Sequence, residues 1–310
     1  MRVYRSSFLK MDVDLEELER LVADALGVAY RLTPLGVKCT YPVFRGDAEG
    51  RAPVFVKVGT ADEWSRTVAL LKEIGDCDYF ARPLTEKFIE YRGYAVFVTT
   101  WCEGRMVRPE DMNDAQLRSF ADGCARLSSV LQRVPRQLVS ASESQSPERV
   151  WDLLETYARR HPLAARPLRE LLALPPAARS YAGRRLAVVH GDFHVRNYAF
   201  AGDRFAHVFD FDKVTEDLAC GDFVQALVYR FSVLGLPRDS RRRLVAATRR
   251  LLPLVPWPRE ELAVMANVWR LRFVARRLER HPDSWWTGFD AFRRDRLVRR
   301  LSQLIQEVEK

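Results

Sequence analysis

Strand-like runs crowd the first hundred residues of this chain, and after Gly104 nearly everything reads as helix. Ala29–Leu35, Thr40–Arg45, Pro53–Val58 and Tyr94–Thr100 are rich in Val, Phe, Tyr and Thr, with glycine-containing turns at Gly46–Gly50 and Arg92–Gly93, a pattern of short paired strands. One helix precedes them and another interrupts them. Leu15, Leu18, Val22 and Ala25 recur at helical spacing behind Asp12 or Asp14 as a cap, and Asp62–Ile74 repeats through Trp64, Val68, Leu71 and Ile74. Farther on, Leu117, Phe120, Cys124, Leu127 and Leu131 mark one face of a long helix. Ser140–Pro147 reads as an exposed loop, Val150–Leu174 as helix broken near Pro162, and Phe223 to the end as helix, closing on Leu297, Val298, Leu301, Leu304, Ile305 and Val308. One island of strands, Leu186–Val189, Tyr198–Phe200 and Phe205–Phe209, frames a polar loop. The expected architecture is α+β in two parts, residues 1–102 and 103–310, and 310 residues at 47% hydrophobic content suffice for two modest cores.

The net charge of +9 is unevenly placed. Residues 1–102 hold 14 Lys and Arg against 15 Asp and Glu; residues 103–310 hold 36 against 26. The excess is mostly arginine in groups such as Arg241–Arg243, Arg249–Arg250 and Arg276–Arg277, interleaved with Leu, Val and Ala at helical spacing. No stripe of base-stacking aromatics accompanies them, so solvated helix faces are expected and a nucleic-acid partner is not. Five scattered cysteines support neither a disulfide framework nor a CxxC site. No uncharged apolar stretch approaches the ~20 residues needed to span a bilayer, and the N-terminus has no apolar signal core. A cytoplasmic protein with no membrane partner is expected.

The densest chemistry lies in the polar loop His190-Gly191-Asp192-Phe193-His194-Val195-Arg196-Asn197, followed by a strand ending Val208-Phe209-Asp210-Phe211-Asp212. Singly, each Asp or Asn is an ordinary turn former or cap. Jointly, one loop and one strand end can supply a carboxylate to orient an attacking hydroxyl (Asp192) and oxygen ligands for magnesium (Asn197 and Asp210), which are requirements of phosphoryl transfer. His190 and His194 share the four-residue spacing of zinc helices, but Gly191 and the loop setting argue against a helix there.

The His-Gly-Asp, four variable residues and Asn, then an apolar strand ending in Asp, resemble the aminoglycoside phosphotransferase and choline kinase family of small-molecule kinases. The Asp-Phe-Asp form is similar both to its bacterial spore-coat-associated branch and to antibiotic and sugar kinases. The resemblance implies a two-lobed protein-kinase-like fold, with 1–102 as the nucleotide-binding lobe and 103–310 as a helical lobe carrying the catalytic loop and acceptor site. It implies ATP and Mg2+ as cofactors and a small-molecule hydroxyl as acceptor: a metabolite, sugar, amino alcohol or glycoside, or alternatively an aminoglycoside antibiotic. A non-catalytic nucleotide-binding or coat-type scaffold is the reading from another class. Asp222, by its place after the strand end, looks like a carboxylate that braces the loop. His190 is expected to brace it by a hydrogen bond, while Asp212 stays open between the metal, the acceptor and a surface turn.

Lys57, in the third strand-like run, sits where a kinase places the lysine on the α- and β-phosphates. Its expected partner on the next helix is Glu63, with Glu73 the alternative. The phosphate-covering turn falls at Leu35–Thr40, which holds a single glycine. The adenine is expected at Thr99–Gly104, with Thr100 and Cys102 as cofactor-binding positions through their main chain. Trp269, Trp285 and Trp286 either line an acceptor pocket or pack helices. The oligomeric state is not legible.

Overall fold

The computed structural model describes residues 3–5, 12–36, 41–75, 77, 79–139, 146–161, 169–233, 235–280 and 285–307. The chain divides into two compact units, one of residues 1–104 together with 207–212, the other of residues 105–206 and 213–310.

The first unit opens with a short hairpin of β1 (Val3–Arg5) and β2 (Asp12–Asp14). Asp14 then caps α1 (Leu15–Leu26): its side chain accepts from the amides of Glu16 and Glu17, and its own amide donates to the Tyr91 hydroxyl at 2.8 Å. Five strands follow: β3 (Arg31–Pro34), β4 (Val43–Asp47), β5 (Val54–Gly59), and, after α2 (Ala61–Ile74), β6 (Ile89–Tyr91) and β7 (Tyr94–Thr100). They form one antiparallel sheet in the order β3-β4-β5-β7-β6. Strand periodicity decides what each face does. Val54, Val56 and Val58 of β5 bury against Leu18, Val22, Phe44, Val96 and Val98 under α1. On the other face Trp64 and Val68 of α2 pack on Ala95 and Phe97, so Lys57, which pairs with Phe97 across the sheet, is directed to that face.

The second unit begins with α3 (Asp114–Leu131), whose capping box pairs Asn113 with Gln116. All five residues of its expected apolar face are buried. After α4 (Pro147–Arg160) and a turn of helix, α5 (Arg169–Leu172), come β8 (Ala187–Val189), β9 (Tyr198–Ala201), β10 (Arg204–Val208) and β11 (Thr215–Asp217). β8 pairs with β11, a strand that three polar residues concealed in the sequence. The helices α6 (Gly221–Phe231), α7 (Arg238–Leu251), α8 (Arg259–Arg280) and α9 (Trp285–Glu307) complete the unit. Phe120, Phe193, Tyr198, Phe205 and Phe223 form a continuous aromatic core.

Arg241–Arg243, Arg249 and Arg250 are exposed. Two further arginines are not: Arg270 is buried against Asp295 and Arg272 against Asp217, and such pairs are held because losing one partner strands a buried charge. The positions 37–40, 140–145, 162–168, 281–284 and 308–310, which include most of the expected phosphate-covering turn, much of the Ser140–Pro147 loop, the break near Pro162, the turn at 281–284 and Val308, lie outside the described residues. Among the described residues no helix is long and apolar enough to cross a membrane.

Gly123 lets α3 approach the aromatic core: a Cβ there would lie 2.3 Å from the Phe205 ring. Gly123→Ala should therefore destabilise by about 1–3 kcal/mol through overpacking, more than the ~1 kcal/mol a helix gains when Ala replaces Gly. Urea unfolding checks this; a midpoint at or above that of the parent would mean Phe205 moves aside freely.

Candidate active site

The loop after β8 is fastened from below by one face of α6. Asp222, 5% exposed, takes the amide of His190 on Oδ2 at 2.8 Å and that of Gly191 on Oδ1 at 3.0 Å. One turn on, Gln225 accepts from the Phe193 amide at 2.7 Å and donates to the Gly191 carbonyl at 3.0 Å. A turn further, the Tyr229 hydroxyl reaches Asp192 Oδ1 at 3.3 Å. Residues 222, 225 and 229 share a face because three- and four-residue steps do so on any helix. Burial pushes the Asp222 carboxyl upward, against the pull of His190 and the two amides.

Within the loop, Gly191 has φ +75° and lies against the chain after β10, where a Cβ would be 2.2 Å from the Lys213 carbonyl oxygen. Only glycine fits both the backbone and the space. His190 Nδ1 accepts from the Asp192 amide at 3.3 Å. Phe193 is buried in the aromatic core, which drives the loop down and leaves Asp192, 8% exposed, at its crest. The Asn197 amide nitrogen donates to the Asp192 carbonyl at 2.8 Å. That bond fixes the side chain, and its Oδ1 accepts no hydrogen bond among the described residues. Asp192 Oδ2 accepts from Lys213 Nζ at 2.6 Å. Burial lowers the pKa of His194 although Asp192 pulls it up, and its neutral Nδ1 accepts from the Arg196 amide.

In the first unit, the chain from His207 to Asp212 runs beside Tyr79 and Phe80. The Val208 amide donates to the Tyr79 carbonyl at 2.8 Å, and Phe211 meets Phe80 edge to face. This anchoring carries Asp210 and Asp212 to Lys57, whose Nζ lies 3.2 Å from Asp210 Oδ1 and 2.5 Å from Asp212 Oδ2. Burial works against the charge on Lys57, yet the two carboxylates outweigh it and its pKa is raised. Asp212 is pushed up to about 6 by burial and by repulsion from Asp210, more than Lys57 draws it down. Asp210 holds a left-handed backbone, φ +64°, a conformation costly for most side chains but tolerated by Asp and Asn.

The expected Lys57–Glu63 ion pair is not the contact formed. Glu63 closes the capping box of α2, its Oε2 taking the Thr60 amide and hydroxyl at 3.3 and 3.2 Å. It lines the same open cleft of about 220 Å³ as Lys57, Trp64, Phe97 and Asp212. Glu73 is exposed near the far end of α2. Thr100 is zipped to Arg82, accepting its amide on Oγ1 and donating its own to the Arg82 carbonyl, both at 2.9 Å. Cys102 is half-buried, its thiol pushed up to about 11 by burial, and its main-chain groups have no partner among the described residues. Trp269 is buried on α8; the side chains of Trp285 and Trp286 lie outside the description. Among the described residues no three His, Cys, Asp or Glu gather as a metal site. Sequence reasoning missed Gln225, Tyr229 and Lys213. The helical steps of three and four from Asp222 were the available signal for the first two.

Residues 59–260 match the model of the phosphotransferase enzyme family, APH, and the chain belongs to that family. Its fold is the protein-kinase-like α+β fold, as solved structures of low sequence identity show. A thermostable mutant of aminoglycoside phosphotransferase APH(4)-Ia in its apo form is 13% identical, with 91% of this chain and 98% of that one covered at a TM-score of 0.56. Spectinomycin phosphotransferase APH(9)-Ia, in complex with ADP and spectinomycin, is 11% identical, with 96% and 99% covered at 0.57. Amicoumacin kinase hAmiN, in complex with AMP-PNP, Ca2+ and Ami, is 14% identical, with 94% of each chain covered at a TM-score of 0.55. No curated protein matches the chain in sequence.

Asp222→Ala should loosen the loop at two amides at once, costing about 3 kcal/mol or more, since hydrogen bonds to a charged group contribute about 1.5–3 kcal/mol each. Asp222→Asn, which keeps one acceptor oxygen, should lose less. Hydrogen exchange at His190 and Gly191 reads the effect directly; unchanged protection in the alanine variant would show the loop is held elsewhere.

Proposed function

We propose that this phosphotransferase is an ATP- and magnesium-dependent kinase acting on a hydroxyl of a small molecule. The observation that carries the reading is the loop braced by Asp222 and Gln225, which presents the Asp192 carboxylate at its crest and fixes Asn197 with its amide oxygen unused. In this role Asp192 orients the acceptor hydroxyl and accepts its proton. Tyr229 and Lys213 hold that carboxylate in place from two sides.

The donor set suits magnesium, a hard cation that takes carboxylate and amide oxygens: Asn197 Oδ1, the two oxygens of Asp210 and, as an auxiliary, Asp212. Magnesium, when bound, withdraws charge from phosphate oxygens. Lys57 serves the phosphates, its ammonium kept charged by Asp210 and Asp212. Glu63 acts through the start of α2, where its capping bonds hold the wall of the cleft beside Lys57. Thr100 ends the last paired stretch of β7, and the unpartnered main chain of Cys102 beyond it offers a donor and an acceptor to an adenine edge. The ligands named for the APH(9)-Ia and hAmiN structures, ADP and AMP-PNP, support a nucleotide here too.

Two variants test the assignment against a scaffold that binds ATP without using it. Asp192→Asn should lower turnover by about 10²–10⁴-fold, the usual contribution of a positioned base, and leave magnesium-ATP affinity intact. Wild-type turnover in that variant would end the mechanism, and a wild-type protein that binds magnesium-ATP but never releases ADP would favour the scaffold. Lys57→Ala should raise the KM for ATP and lower kcat, with acceptor affinity unchanged. A nucleotide-bound structure with Lys57 turned to solvent would refute its role.

A further inference from the structure

Tyr229 links Asp192 to a second charge. Its hydroxyl donates to Asp192 Oδ1 at 3.3 Å, and burial and the nearby Asp192 push its pKa up to about 12 against the pull of the Arg276 charge beside it, so it remains a donor. Arg276, half-buried on α8, lies over the Trp269 ring, 5.4 Å from its centroid. Among the described residues Arg276 has no carboxylate partner. Trp269 is itself 3% exposed, and its indole Nε1 is a buried donor with no acceptor among them.

The acidic groups near this point are already engaged. Asp217 is held by Arg272 and by the Tyr181 hydroxyl. Asp222 is filled by the loop amides, and Asp192 itself faces Lys213. An ammonium group brought to Asp192 would meet Lys213 on one side and, across Tyr229, Arg276 on the other. Like charges that close in a half-buried site are repulsive. A carboxylate or phosphate would instead find the planar, permanently charged fork of an arginine that has no carboxylate partner among the described residues.

We propose that the acceptor is a hydroxylated molecule carrying an anionic group, a carboxylate or a phosphate, which sits on Arg276 while its hydroxyl meets Asp192. The inference rests on the kinase reading above and narrows it to a substrate class; an amine-rich aminoglycoside is disfavoured by the same charges.

The test compares matched acceptors at saturating magnesium-ATP by ADP release: glycerate against glycerol, gluconate against glucose, glycerol 3-phosphate against glycerol, with kanamycin as the polycation. At least one acidic member should exceed its neutral parent and kanamycin by about tenfold or more in kcat/KM. Arg276→Gln, which keeps a polar side chain but no charge, should lower that acid's kcat/KM by roughly ten- to a hundredfold, the range of a charge-assisted hydrogen bond, with the KM for ATP unchanged. Arg276→Lys should recover part of it. Acids no better than their neutral parents, preferred turnover of kanamycin, an equal loss on neutral acceptors in Arg276→Gln, or a change confined to the KM for ATP each overturn the assignment. ATP hydrolysis by water, measured with and without Asp192→Asn in the same series, separates the two readings. Turnover that depends on Asp192 but shows no preference for acids removes only the acceptor class, whereas no dependence on Asp192 removes the kinase reading itself.

Discussion

A buried carboxylate taking two successive backbone amides, Asp222 with His190 and Gly191, is the contact on which the loop of residues 190–197 depends. Those amides follow the end of a strand and have no ladder to join, so without an acceptor each would be a desolvated donor. Placing the acceptor on a helix, rather than on another loop, ties the position of Asp192 to a rigid element. Gln225 and Tyr229 then arrive on the same face at no further architectural cost. The aromatic core does the complementary work from the loop's side: Phe193 is pulled into it, while Asp192 and His194 on either side bond instead to Lys213, Tyr229 and the Arg196 amide.

The first unit solves a different problem, keeping a lysine charged while it is largely covered. Strand alternation sends Val54, Val56 and Val58 into one core and Lys57 to the opposite face. Two carboxylates delivered by the segment 207–212 offset the desolvation of the ammonium. That segment reaches Lys57 from far along the sequence through backbone bonding to Tyr79 and an aromatic contact with Phe80. Neither contact has a signature in the sequence.

What could be read from the sequence follows from this. Helix faces and strands with an apolar period were legible: the buried stripe of α3 and the strands β3, β4, β5 and β7 fall within or close to the expected runs. β11 was not, because Thr215, Glu216 and Asp217 pair along their backbone without an apolar pattern, and the opening hairpin was hidden for the same reason. The motif spacing singled out Asp192, Asn197 and Asp210 because their separation is fixed by one loop and one strand. The partner of Lys57 was misjudged because an acidic residue three positions past Thr60 is equally the third residue of a capping box, and here the cap prevails. Lys213 and Arg276 could not be singled out, since contacts made by separate stretches of chain leave no local pattern.

The left-handed backbone at Asp210 bears on how this site can decay over evolutionary time. Few residues accept that conformation: glycine freely, asparagine and aspartate at small cost, longer or branched side chains with strain. A drift from Asp to Glu would keep the charge and disturb the backbone, whereas Asp to Asn would keep the backbone and remove the charge. The substitution most easily survived by the fold is thus one that removes the carboxylate, and relatives that differ here should more often carry asparagine or glycine at this position than glutamate.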